Sequence, residues 1–130
     1  MKTAVWLVGL LVFTLFTCSK DKAEVRGPSR CVAVQYKLPY CPVKASIVAF
    51  LEPQPGLPNP YPERGDMVYG AAVLDLPDEF KKTDTIFYLT YHYDSVREKR
   101  ENAEAIEYCP MNIGLSPLIV SESASLQPCQ

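Results

Sequence analysis

Apolar and polar residues alternate along five stretches of this chain, and a period of two is typical of β-strands with one buried face. We predict strands at Cys31–Lys37, Val43–Leu51, Tyr69–Leu76, Thr83–Tyr93 and Leu118–Glu122. The fourth is the strongest, because Phe87, Leu89, Tyr91 and Tyr93 form one continuous apolar face. The pattern therefore favours a mostly β domain.

Helical signals are short. Residues 77–82 begin with proline, continue with two acids and end with two lysines, which predicts one helical turn. Residues 94–107 are charged almost throughout, and Ser95 with Glu98 offers a capping box. This stretch is either a short solvated helix or the tip of a long hairpin, and the sequence leaves both open.

The first seventeen residues have the pattern of an export signal: Lys2 precedes an uncharged apolar run from Ala4 to Phe16. The run is too short to cross a bilayer, which needs roughly 20 apolar residues. Leu15 and Cys18 fit the motif at which a lipid is attached to exported bacterial proteins, although Phe16 is larger than that motif prefers. We predict a lipoprotein signal at 1–17 with lipid attachment at Cys18. The alternative is an ordinary secretory signal that is cut near Ser19.

A lipid on Cys18 would make the membrane a partner, with a flexible tether at 18–30 and a single domain at 31–130. Residues 19–30 are polar and lack apolar periodicity, which is typical of a tether. The expected location is the outer membrane, on its periplasmic side or at the cell surface. With the secretory signal, the protein would instead be secreted.

Size and charge limit the possible functions. Without residues 1–17 the chain has 113 residues, enough for one modest core. Its 12 Lys and Arg then face 15 Asp and Glu, with no basic cluster. We therefore expect no nucleic-acid binding.

The other cysteines form an even set, which predicts two disulfides in an oxidising compartment. They are Cys31, Cys41, Cys109 and Cys129, and three pairings are possible. No C-x-x-C pair is present and the chain has one histidine, so we predict no metal site.

A local motif suggests a family. Residues 73–82 read Val-Leu-Asp-Leu-Pro-Asp-Glu-Phe-Lys-Lys, and the strand Thr85–Tyr93, Cys109 and a closing strand at 117–122 follow. This arrangement resembles small Bacteroidota-type envelope lipoproteins, a largely uncharacterised group. The resemblance implies an oligonucleotide/oligosaccharide-binding-like (OB-like) barrel, closed or partly open, of about five or six strands. It implies no reaction. The chain departs from the group in lacking a glycine after the lysines and in carrying an extra proline-rich insert.

That insert, residues 52–66, has five prolines in fifteen positions and is predicted to form an extended surface loop. A loop of this length in so small a domain is uncommon unless it is functional or disordered. We take it as the candidate binding surface, with Pro58, Tyr61, Arg64 and Asp66 as its candidate residues.

Catalytic signals are sparse. His92 and Asp94 are two residues apart on one strand face and would suit acid–base chemistry, but no recognisable nucleophile motif accompanies them. We expect no enzyme and no cofactor. The predicted function is an exported, lipid-anchored, non-enzymatic module that binds an envelope protein or glycan, or has a structural role there. The alternative is an inhibitor of an envelope protease or glycan hydrolase, since a preorganised loop loses little entropy on binding.

Overall fold

The computed structural model describes residues 26–106, 109–110 and 114–130. Within them, five strands dominate: β1 (Arg30–Tyr40), β2 (Ala45–Gln54), β3 (Val68–Leu74), β4 (Ile86–Tyr93) and β5 (Leu118–Ser125). The helix α1 spans Ser95–Ala103, and short 3₁₀ turns form at Pro62–Arg64 and Asp78–Phe80. The predicted strands and the predicted helical turn are all present.

The strands close into a barrel in the order β1-β2-β3-β5-β4. β1 pairs antiparallel with both β2 and β4, and the barrel is completed by a short parallel pairing of β3 with β5. This is a small Greek-key barrel of the OB-like kind, as predicted. Closure leaves no long free edge, which removes the usual template for strand-to-strand aggregation.

Side chains that point into the barrel form its core. Val34, Val48, Phe87, Leu89 and Ile119 are fully buried and belong to one apolar cluster. Each such side chain contributes roughly 1.5–3 kcal/mol through removal of apolar surface from water. The alternation seen in the sequence of β4 is therefore the alternation between core and exterior.

A second apolar cluster lies on the outside of the barrel, where β3 and β5 meet. Ala72, Leu74, Leu118 and Val120 are buried there, and Ala105 packs against them from the segment that follows α1. Because this part of the wall is covered on both faces, β3 and β5 are apolar at consecutive positions.

The strand ends differ from the predicted ones by up to three residues, and one of these differences moves the start of the proline-rich loop. β2 continues to Gln54, so the proline-rich loop begins at Pro55. Pro53 is tolerated inside the strand because the β2–β3 register shifts between Ala49 and Gln54, where a missing N–H costs no ladder bond.

The charged stretch after β4 forms a helix rather than a hairpin tip. Its N-cap is Asp94, whose carboxylate accepts hydrogen bonds from the backbone N–H groups of Val96 (3.0 Å) and Arg97 (2.9 Å). The predicted capping box is therefore wrong: the N-cap is Asp94 and not Ser95. The Glu98 side chain instead accepts a hydrogen bond from Leu118 N.

Both predicted disulfides form, and the structure gives their pairing: Cys31 with Cys129, and Cys41 with Cys109. The first ties the C-terminal tail to β1, and the second ties the β1–β2 turn to the long connection between β4 and β5. With sequence separations of 98 and 68 residues, each removes about 4–5 kcal/mol of unfolded-state entropy in the chain-entropy treatment.

The last residues of the predicted tether contact the barrel. Gly27 N donates to Tyr93 O (2.7 Å), and Ser29 Oγ and the Arg26 guanidinium both donate to the Glu122 carboxylate. The predicted signal and Cys18 lie outside the described residues. Within the described part of the chain, we find no helix with the length and apolar character needed to cross a membrane.

Candidate functional site

The proline-rich loop between β2 and β3 is fixed to the barrel at its start. Leu57 is buried with the barrel core, and Arg30 Nη1 donates to Pro55 O at 2.7 Å. Gly56 between them has φ 76°, a left-handed conformation that favours glycine. The loop therefore leaves the end of the barrel in a defined direction.

The second half of the loop is organised by one asparagine. Asn59 Oδ1 accepts from Tyr61 N at 2.9 Å, and Asn59 Nδ2 donates to Gly65 O at 2.5 Å. Between these bonds the chain forms the 3₁₀ turn of Pro62–Arg64, and Arg64 places its guanidinium over the Tyr61 ring, 4.7 Å from the centroid. These contacts define one conformation for the loop between β2 and β3.

Facing this loop is the segment 115–117, which leads into β5. Leu115 N donates to the Tyr61 hydroxyl at 3.1 Å. Immediately after the segment, Leu118 N donates to Glu98 Oε2 on α1 at 2.7 Å. The loop and α1 thus fix the two ends of this segment.

A groove of about 240 Å³ lies between the loop, β3 and this segment. Its principal lining residues are Tyr61, Arg64, Met67, Tyr69, Gly70 and Leu115. Tyr69 and Leu115 are 66% and 69% exposed, which is unusual for large apolar side chains grouped together. We call this feature the groove throughout.

One lining position of the groove, on β3, is a glycine. On β2 and β3, Ala49 and Gly70 are paired across the two strands. A Cβ on Gly70 would lie 2.8 Å from Val48 O, so a larger residue would displace backbone rather than a flexible side chain. A glycine at this position leaves room beside the large side chains of Tyr61, Tyr69 and Leu115, as in a concave binding site.

The lining of the groove carries a single charged side chain, that of Arg64. Its nearest acidic partner is Glu63, 4.0 Å away, and both side chains are mostly exposed. A surface ion pair of this kind contributes little, so the guanidinium is available to a ligand. The groove therefore combines apolar surface with one available cation.

A larger depression, about 510 Å³, lies on the other side of the same loop. Pro58, Tyr40 and Glu98 line it. Burial raises the pKa of Tyr40 from its ordinary value, and burial with the hydrogen bond to Glu98 raises the pKa of Tyr93 to about 12. Both phenols are neutral at physiological pH, so here they act as hydrogen-bonding groups.

The structure places the four candidate residues of the loop differently. Tyr61 and Arg64 line the groove, and Pro58 lines the depression behind it. Asp66 is exposed and does not line the groove. Sequence reasoning missed Glu98, which joins α1 to β5 across 20 residues of sequence, a contact that no local pattern signals.

The two residues considered for acid–base chemistry have separate structural roles. Asp94 caps α1, whereas His92 donates from Nδ1 to Glu122 Oε1 at 2.7 Å and is 7% exposed. Ser29 also donates to Glu122, so the carboxylate lies between the hydroxyl and the imidazole. In this arrangement the histidine does not receive the serine proton, as a nucleophile–base pair requires.

Among the described residues, no three His, Cys, Asp or Glu side chains converge to hold a metal ion. The comparisons with known proteins found no match: no family model, no curated protein and no solved structure is similar to this chain. The site geometry therefore carries the functional argument.

Proposed function

We propose that this protein is an exported, lipid-anchored and non-enzymatic binding module of the cell envelope, and that the groove is its binding surface. The partner is an envelope protein or glycan. The observation that supports this best is the defined conformation of the groove: a loop and a segment without regular structure, fixed to each other by the Tyr61–Leu115 hydrogen bond.

Preorganisation has a direct consequence for affinity. Ordering a flexible loop on binding costs about 1–2 kcal/mol of backbone entropy for each residue fixed. Here Leu57, Asn59 and Tyr61 already hold the loop through burial and hydrogen bonds. Most of that cost is met on folding, which leaves the apolar contacts of the groove available for binding.

Charge and exposure support a ligand at this place rather than elsewhere on the barrel. The exposed apolar side chains of Met67, Tyr69 and Leu115 meet in one concave patch beside Arg64. Ile86 on β4 is also exposed, at 52%, but lines none of the pockets described here. It therefore offers a matched control.

The binding proposal is tested by substituting groove residues without disturbing the barrel. Deleting the loop would remove Leu57 from the core, so point variants are needed. The variants Tyr69→Ser and Arg64→Ser are compared with Ile86→Ser for co-purification of crosslinked partners from native cells, after thermal unfolding has shown equal stability. We expect the groove variants to lose the adducts and Ile86→Ser to keep them. Equal adducts in all three would contradict the proposal.

The anchor is tested separately by the intact mass of the protein extracted from membranes. A chain that begins at Cys18 with added acyl mass supports the lipid anchor. An unlipidated soluble chain would contradict it and would favour a free secreted protein.

The inhibitor alternative is supported by the same fixed loop, because inhibitors present preorganised segments. Its exposed tip is a 3₁₀ turn at Pro62–Arg64 rather than an extended strand. An inhibitor built this way would block a hydrolase by covering it, without offering the tip as an extended substrate. Inhibition of envelope hydrolases that is lost in Arg64→Ser and kept in Ile86→Ser would support this alternative.

A further inference from the structure

The wall of the barrel is incomplete beside the groove. β3 has seven residues, but only Ala72, Val73 and Leu74 pair with β5. Toward the start of β3 the ladder ends with the bond from Ala72 N to Pro117 O, at 2.9 Å. The preceding part of β3 therefore faces the groove instead of a neighbouring strand.

The reason for this ending lies in the sequence. If the parallel ladder continued past the Ala72–Pro117 bond toward the start of β3, Gly70 O would accept its next hydrogen bond from the backbone N of residue 117. Residue 117 is proline and has no N–H. Leu115 N is engaged by the Tyr61 hydroxyl. Among the described residues, no backbone hydrogen bond joins this segment to Gly70.

The pairing on the other side of β3 shows which way the Gly70 backbone points. Residues of an antiparallel strand alternate between bonding to one neighbour and to the other. Ala72 bonds toward β5, so Gly70, two residues away and opposite Ala49, also directs its N–H and C=O toward the β5 side. That side is the groove, which Gly70 lines.

We infer that the partner enters the groove as an extended polypeptide segment that pairs with β3 at Gly70 and carries an Asp or Glu opposite Arg64. The inference rests on the proposed binding function and names its partner class. Strand addition supplies main-chain hydrogen bonds, and alternate side chains of the added segment reach the apolar rim at Met67 and Tyr69. Arg64 supplies the charge complementarity, since no acidic side chain lines the groove.

The test uses the protein as it is extracted from membranes, and a phage library of linear nine-residue peptides as the probe. Enriched peptides are synthesised and their affinities measured by calorimetry. We expect β-forming sequences with one acidic residue. Changing that residue to its amide should weaken binding about tenfold on the unsubstituted protein and have no effect on Arg64→Ala, because the lost pair is then already absent.

Backbone pairing has its own signature. Methylating one peptide nitrogen at a time should weaken binding about tenfold at every second residue, where the N–H faces β3, and little at those between. Pro117→Ala returns a donor to the segment, so we expect its N–H to bond Gly70 O and peptide affinity to fall. Pro28→Ala, at an exposed position outside the groove, is the control and should bind as the unsubstituted protein does.

An N-methyl scan without the two-residue period would overturn the inference, as would peptides whose affinity is unchanged in Tyr69→Ser. If glycan fragments bind instead, and that binding is lost in Tyr69→Ser, the inference is wrong while the binding proposal stands. If neither probe binds, and Tyr69→Ser and Arg64→Ser keep the crosslinked adducts of native cells, both are wrong.

Discussion

Substitution of Glu98 should show most clearly how much its hydrogen bonds stabilise the segment beside the groove. Its carboxylate accepts from Leu118 N at 2.7 Å and from the Tyr93 hydroxyl at 3.0 Å. Leu118 is 1% exposed, so in Glu98→Ala its N–H would be left without water or another acceptor. Leaving a buried donor unsatisfied costs about 1–3 kcal/mol, and a hydrogen bond to a charged group contributes about 1.5–3 kcal/mol.

We therefore expect Glu98→Ala to lower the free energy of unfolding by about 2–3 kcal/mol. In a domain of about 100 residues each kcal/mol lowers Tm by about 4–8 °C, which calorimetry detects easily. Glu101→Ala is the matched control on the same helix. Its ion pairs with Arg97 (3.4 Å) and Arg100 (3.7 Å) are partly exposed to solvent, and their loss should cost under about 1 kcal/mol.

A second measurement separates this hydrogen bond from general loosening. The pKa of Tyr93 is raised to about 12, by burial first and by the bond to Glu98 second. Absorbance titration of the phenols should show that pKa lowered in Glu98→Ala, yet still above 10 because burial persists. Equal stability of Glu98→Ala and Glu101→Ala, with an unchanged Tyr93 pKa, would refute the reasoning.

Three further predictions follow from other contacts. Leu57→Ala should cost about 2–5 kcal/mol in chemical unfolding because it opens a cavity at the barrel end, whereas Leu51→Ala, at a site 50% exposed, should cost under about 0.5 kcal/mol. Hydrogen bonds from Ser29 and Arg26 lower the pKa of Glu122 below its ordinary value of 4.5. The ionised Glu122 carboxylate therefore stabilises the fold above pH 4.5, and this stabilisation is lost as the pH falls through the lowered pKa. In urea titrations, Glu122→Gln should weaken the pH dependence of the free energy of unfolding. Amide exchange of the free protein should be fast at Gly70 and slow at Ala71 and Ala72, and slow exchange at Gly70 would contradict the open strand edge.

Much of the fold could be predicted because the information is local. The alternation of Phe87, Leu89 and Tyr91 identifies the buried face of β4 wherever that strand lies in the barrel. The even cysteine count predicts two disulfides in the same way. Their pairing could not be predicted, because it depends on which loops meet in three dimensions, and Cys41 meets Cys109 only through the closed barrel.

The candidate site was predicted in part for the same reason. The density of prolines marked the loop of Tyr61 and Arg64 as a surface feature. Nothing local marked the other wall, because Leu115 reaches Tyr61 across 54 residues of sequence. The sequence pattern predicts a continuous strand through Gly70. Only the register of β3 against β5 shows that β3 has no neighbouring strand on that side at Gly70.

The most direct test of the account is site-specific photo-crosslinking in the native cell. A photoreactive phenylalanine analogue replaces Tyr69 in one variant and Ile86 in the other, two exposed strand positions of which only Tyr69 lines the groove. The account predicts a discrete partner adduct at position 69, absent at position 86, with the crosslinked residue in an extended acidic segment of the partner protein. No adduct at position 69, or the same adduct from both positions, would contradict it.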